Sequence, residues 1–350
     1  MKRFLIGCTL FLLPILVLIG YYQIFLHPKF QSLADMECYN LSSLGFVLFD
    51  ENYTTSIVER FPEEQNWLVR DFDKNNSSCD TNLILTLGDS YSQKRKGSYS
   101  NQLAHIYDKC TIANRNNPYP FPNPFVKYWE LFVNDTVLPN IVIVESVERF
   151  LVNRLLELDF NRDNLNDIVA FEDGNGKKMS DLQRRVKRNS DYYRNLLMKE
   201  KNRPVKHAKL NKEMFTCKEK ESDFYFYDQE ISITNTIDEI EIAVEKLDSL
   251  YMFADERGIN LIILVAADMY DVYQSYIDNN PYPPKTVLDE LSSRINHPNF
   301  INSKELFLPL LDQGMKDVYW CSDTHWSPVG AKIVAEEIAR RMDSLGVFQK

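Results

Sequence analysis

The chain has 350 residues, 44% hydrophobic and 26% charged, which suits one large α/β domain with insertions or two modest domains and excludes a generally disordered chain. Its net charge of -10 offers no complementary surface to a phosphate backbone, so nucleic-acid binding is excluded as a class. Six cysteines without any C-x-x-C spacing give no support to a zinc site, and no cofactor is expected.

Lys2 and Arg3 precede an uncharged run from Phe4 to about Leu26, long enough to cross roughly 30 Å of hydrocarbon at about 1.5 Å per residue. Basic residues ahead of the run place the N-terminus inside. No small-x-small cleavage site follows, and Tyr21 and Tyr22 suit a membrane interface. Residues 1–27 therefore read as an uncleaved single-pass anchor, with the C-terminal part extracytoplasmic; a removed signal peptide is the alternative. Cys8 reads as lipid-facing. Residues 28–80 mix polar and aromatic positions without a sustained period and read as a stem and entry loop. Beyond the anchor lie Cys38, Cys79, Cys110, Cys217 and Cys321. One or two disulfides could form there in an oxidising compartment, in a pairing that spacing does not reveal.

Residues 81–350 carry the α/β alternation. Leu83 to Leu87 is a run short enough for a buried strand, and Gly88-Asp89-Ser90 breaks it, leaving Ser90 at the carboxyl edge of a sheet, where ligands collect in open α/β folds. A helix over Tyr99 to Tyr107 and a short strand over Cys110 to Ala113 follow, the strand ending at Asn114-Arg115. After the Pro-rich loop from Asn116 to Pro124, Phe125 to Val133 has helical spacing and Ile141 to Val144 is a β-branched strand. That strand ends at Glu145-Ser-Val-Glu-Arg149, where Glu145 and Arg149 either pair at i, i+4 or line the pocket.

The alternation lapses from about 155 to 235, which reads as a largely helical insertion. Within it Arg184 to Lys212 suggests a basic amphipathic helix, and Phe224 to Tyr227 a strand or aromatic plug. It resumes with Ile237, Ile240, Val244, Leu247 and Tyr251 on one helix face, a strand over Leu261 to Val265, and a polar turn from Asp268 to Asp271. A helix over about Thr286 to Ile295 and a short strand near Phe300-Ile301 come next. Ser327 and Pro328 then open a last helix striped by Ala331, Val334, Ala335, Ile338 and Met342.

Asp323-Thr324-His325-Trp326 stands just ahead of that helix. An aspartate two residues before a histidine can hold the ring Nδ1 within one loop, leaving Nε2 to face a serine. Strand-Gly-Asp-Ser followed by Asp-x-His before the final helix resembles the SGNH (GDSL-like) hydrolase superfamily. The block from Asp323 to Ala331, and Val144 to Arg149, resemble the alginate-type polysaccharide O-acetyltransferases, while the order of the blocks is that of DltD-like membrane-anchored proteins. The resemblance implies an SGNH-type doubly wound parallel sheet flanked by helices. It implies Ser90 as nucleophile, His325 as base and Asp323 as its orienter, moving an acetyl group onto a cell-surface or exported polysaccharide. The superfamily's oxyanion glycine and asparagine are not at their usual blocks. Asn114 is the substitute by position, with Glu145, Arg149 and Trp326 as further candidates for oxyanion or substrate contact. An acidic chain at a membrane also suits a multi-spanning acyltransferase partner that hands over the acyl group. A carbohydrate acyl esterase shares the same chemistry up to the acyl-enzyme, and an inactive glycan-binding scaffold of an export complex is the alternative outside enzymes.

Overall fold

In this computed structural model the described residues are 13–15, 18, 69–71, 84–92, 98–107, 111–113, 123–133, 139–160, 205–217, 220–321 and 323–346. The chain divides into two compact units, Met1–Leu41 and Ser42–Lys350. In the first, residues 13–15 and 18 are helical, with Leu13, Ile15 and Leu18 exposed. The rest of the expected anchor lies outside the described residues, among which no helix is long and apolar enough to cross a membrane.

In chain order the second unit holds β1 (Val69–Asp71), β2 (Ile84–Leu87), α1 (Tyr99–Tyr107), β3 (Thr111–Ala113), α2 (Pro124–Val133), β4 (Ile141–Val147) and α3 (Glu148–Leu156). Then come β5 (Val205–Lys209), β6 (Asp223–Tyr227), α4 (Gln229–Ser232), α5 (Ile237–Glu256), β7 (Asn260–Ala266), α6 (Met269–Tyr273), α7 (Val287–Arg294), β8 (Phe300–Asn302), α8 (Ser303–Asp312) and α9 (Pro328–Ser344). Six strands form one sheet in the order β1-β3-β2-β4-β7-β8, every pairing parallel. The central strands are continuous apolar runs because helices cover both faces: every residue of β2 and β4 is buried. The helices pack in two sets, α1, α9 and α8 in one and α2, α3, α5 and α7 in the other, as the two outer layers of a doubly wound sheet. From β2 the chain steps to β3 on one side, then crosses back to β4 on the other. The carboxyl end of β2 is thus the switch point of the sheet, the place such folds leave open for a ligand.

Several elements differ from expectation. The sheet takes its edge strand β1 from the segment read as stem and entry loop. β4 runs to Val147, so Glu145 and Ser146 are strand residues, beyond the expected end at Val144. The turn from Asp268 to Asp271 is mostly the short helix α6. A further helix, α8, follows β8 and keeps Pro309 inside it.

The described part of the insertion is not largely helical. β5 and β6 pair antiparallel, with Val205 opposite Tyr227 and His207 opposite Tyr225. A period of two explains this: Phe224 and Phe226 point into the core against Tyr273 and Tyr270, while Tyr225 stacks on His207 at 4.5 Å outside. Val205–Lys209, expected as the end of a basic helix, is therefore a strand. The remainder of that expected helix lies outside the described residues.

Candidate active site

The turn after β2 is built on its neighbour β4. Leu87 pairs with Val144, which sets Gly88 against Glu145. A Cβ on Gly88 would lie 2.4 Å from Glu145 Oε2 and 2.4 Å from Ser92 Oγ, so only glycine lets the two strands come this close. Glu145 Oε2 accepts from the Asp89 amide at 2.7 Å and from Ser92 Oγ at 2.9 Å, and Ser92 Oγ also meets Tyr99 Oη at 2.7 Å. Asp89 turns its carboxylate the other way, accepting from the Val147 amide at 2.9 Å and from Arg154 at 2.5 and 2.7 Å. Arg154 reaches Ser146 Oγ as well, at 2.8 Å. Two carboxyls and one guanidinium, all buried, thereby fix the backbone on either side of Ser90.

The second half of the site is a loop closed at its base. An antiparallel bridge joins Tyr319 to Trp326, the Trp320 amide donates to His325 O at 3.2 Å, and the Ser327 amide to Val318 O at 3.0 Å. Inside the loop Asp323 Oδ1 accepts from the His325 amide at 3.0 Å and lies 2.5 Å from His325 Nδ1. His325 Nε2 is 2.6 Å from Ser90 Oγ. Because a carboxylate only accepts, Nδ1 carries the proton and Nε2 is left to accept from the serine hydroxyl. The Tyr91 ring lies against His325 at 4.9 Å and Trp326 at 4.6 Å, and its hydroxyl donates to Thr324 O at 2.5 Å. Tyr91 thus links the two halves from the residue next to Ser90.

Ser90, Asp323 and His325, far apart in sequence, are brought into one hydrogen-bonded line. The other four candidates fare differently. Asn114 lies outside the described residues. Glu145 neither pairs with Arg149 nor lines a pocket: it is fully buried beneath the Gly88 turn, because the longer β4 carries it inward. Arg149 instead pairs with Asp268, at the carboxyl end of β7, which also binds Lys285. Trp326 is buried among Tyr91, Tyr99 and Phe307, so it packs the loop and offers little surface to a substrate.

The sequence reading missed Asp89 as a buried ion-pair partner, together with Ser92, Tyr91 and Arg154. Arg154 carries a usable signal, an arginine on the helix face made by Leu151 and Leu155, where a charge demands a buried partner. Also missed was a layer of buried charge under the same sheet edge. Lys285 lies between Asp268 and Glu148, Glu148 accepts from the Asp268 amide at 2.8 Å, and Glu230 accepts from the Tyr270 amide at 2.8 Å. Further along, an open pocket of about 500 Å³ is lined by Asp271, Asn280, Tyr282, Lys285, Asp289 and Lys304, among others.

Residues 190–349 match the family model of the SGNH hydrolase-like domain of acetyltransferase AlgX. The matched stretch contains Asp323 and His325 but not Ser90, which reaches them through the fold. Among solved structures the chain is similar to an acetyl xylan esterase (Est2A) from the rumen bacterium Butyrivibrio proteoclasticus, at 10% identity and a TM-score of 0.30, over 76% of this chain and 65% of that one. The chain thus spans just under two thirds of that structure's length. No curated protein matches it. Together with the parallel sheet, its switch-point serine and the Asp-x-His loop, the match over residues 190–349, just under half of the chain, supports an SGNH, AlgX-like hydrolase domain.

Proposed function

We propose that the protein transfers an acetyl or similar acyl group to a polysaccharide through an acyl-Ser90 intermediate. The observation that carries this reading is the line from Asp323 through His325 to Ser90, at 2.5 and 2.6 Å, at the switch point of an AlgX-like domain. His325 Nε2 takes the Ser90 proton as Oγ attacks the acyl carbonyl, and returns it to the leaving alcohol. The acceptor hydroxyl then gives its proton to the same nitrogen and attacks the ester, which frees Ser90. Asp323 holds the imidazole in the right tautomer and stabilises it when charged. The Ser90 amide is one oxyanion donor. Asn114, following β3 beside β2, is the second in this reading, a role worth a few kcal/mol of transition-state stabilisation.

The uncharged run from Phe4 to about Leu26 would hold the domain at the outer face of a membrane, beside a membrane-bound acyltransferase that supplies the acyl group. An acceptor sugar has to outcompete water at about 55 M, which needs a surface that orients it. The segment inserted between α3 and α5, with its aromatic hairpin, is the part of the chain with surface to spare for this. The direction of transfer is tested by giving the full chain an activated acetyl ester together with an oligosaccharide and weighing the sugar. Acetylated sugar that disappears with Ser90→Ala is the expected result. Free acetate alone, at a rate no glycan changes, would replace transfer by hydrolysis.

A further inference from the structure

Cys217 and Cys321 are both buried, and their thiols are hydrogen-bonded to each other. Each belongs to a segment fixed by bonds that do not involve sulfur. Cys217 lies in the stretch between β5 and β6, which Asp317 clamps. The Thr216 amide and hydroxyl both donate to the Asp317 carboxylate at 2.7 Å, and the Asp317 amide donates to Met214 O at 2.9 Å. Cys321 lies in the loop closed by the Tyr319 and Trp326 bridge, two residues before Asp323. The inserted segment and the triad loop are therefore already held in register, with one thiol from each facing the other.

We propose that Cys217 and Cys321 form a disulfide that staples the inserted segment to the loop carrying Asp323 and His325. The two thiols give up two protons and two electrons to a disulfide oxidant such as oxidised glutathione, which becomes two thiols as the new S–S bond forms. The hydrogen bond from Cys217, and then burial, hold the Cys321 thiol far above the ordinary thiol range, so the thiolate needed for exchange is scarce once the chain is folded. Burial of both sulfurs also keeps the bond away from thiols in solution, which makes it a structural staple and not a switch. It encloses a loop of about 100 residues, the range in which a cross-link removes most freedom from the unfolded chain. The assignment is independent of any substrate.

The test is to fold the full chain in mixed reduced and oxidised glutathione, block remaining thiols with iodoacetamide under denaturing conditions, digest without reductant and map the peptides by mass. A linked pair containing Cys217 and Cys321 is expected. Both cysteines alkylated, or either one joined to Cys8, Cys38, Cys79 or Cys110, would overturn the assignment. As a second reading, Cys217→Ser should lower the Tm of the oxidised chain by roughly 10 °C, and Cys321→Ser should add little to that loss. An unchanged Tm would also overturn it, and the peptide map of the unsubstituted chain decides the matter if the variants fail to fold.

Discussion

Gly88 and Glu145 set the position of the serine between them. A methyl on Gly88 would meet both Glu145 Oε2 and Ser92 Oγ at 2.4 Å, and both atoms are already bonded to the turn. Gly88→Ala should therefore destabilise the fold by about 1–3 kcal/mol, the usual cost of overpacking, seen as a lower midpoint in denaturant. Burial first, and then the charge of Asp89, push the Glu145 carboxyl up to about 8 from an ordinary 4.5. The folded chain thus keeps a proton that the unfolded chain releases above 4.5. That contribution to stability is complete below pH 4.5 and is lost as pH rises through about 8. Glu145→Gln keeps the shape without the titration, so its stability between pH 5 and 8 should fall less than that of the unsubstituted chain. Parallel thermal profiles of the two proteins would count against a protonated Glu145. For the proposed triad, Ser90→Ala and His325→Ala should each lower acetyl ester hydrolysis by roughly 10³-fold or more, and the double variant should be little worse than either, because in the proposed mechanism the two act in one step.

Helix α9 and the loop before it are bound together as a unit. Ser327 caps the helix by accepting from the Val329 amide, Pro328 occupies its first turn, and a Cβ on Gly330 would lie 2.3 Å from Val318 O, in the strand-like base of the triad loop. Helix propensity favours alanine over glycine by about 1 kcal/mol, but a contact that short with backbone outweighs it. Gly330→Ala should thus push the loop off the helix and reduce kcat for a small acetyl ester by more than it raises KM. A rate equal to that of the unsubstituted chain would mean the loop is not held there.

Much of this unit was legible in the sequence. A capping serine, a proline at the first helical position and an apolar stripe at three- and four-residue steps leave little alternative, and the spacing in α2 and α5 and the apolar run of β7 were comparably clear. The Asp-x-His spacing announced itself because two residues suffice to wrap a carboxylate onto Nδ1. What stayed hidden depends on partners far along the chain. Glu145 reads as a partner of Arg149 or a pocket residue until the extent of β4 and the register with β2 carry it under Gly88. Asp89 reads as a turn residue until Arg154 arrives from another helix. Phe224 to Tyr227 of β6 was legible as a strand, but its partner β5 was lost under a lysine-rich composition, since lysine tails tolerate strand and helix alike while the deciding apolar contacts, Phe224 on Tyr273 and Phe226 on Tyr270, are made by β6.

Across the whole molecule the carboxyl edge of the sheet gathers what chemistry the chain has. Ser90 follows β2, Glu148 and Arg149 follow β4, and Asp268 follows β7, so the proposed nucleophile and the buried charge occupy successive strands of one edge. The neighbouring ion pairs are structural. Removing Arg154 would leave Asp89 buried without its cation, and Arg154→Ala should cost about 3–5 kcal/mol in urea unfolding. Loss of well under 1 kcal/mol would show that Asp89 is held by the Val147 amide alone. Whether the edge forms an acyl-enzyme is read most directly by treating the full chain with a fluorophosphonate and locating the adduct by peptide mass. One adduct is expected, on Ser90, and it should vanish in Ser90→Ala and nearly vanish in His325→Ala. A folded chain that takes no label, or takes it at another residue with Ser90 unmodified, would contradict Ser90 as the nucleophile.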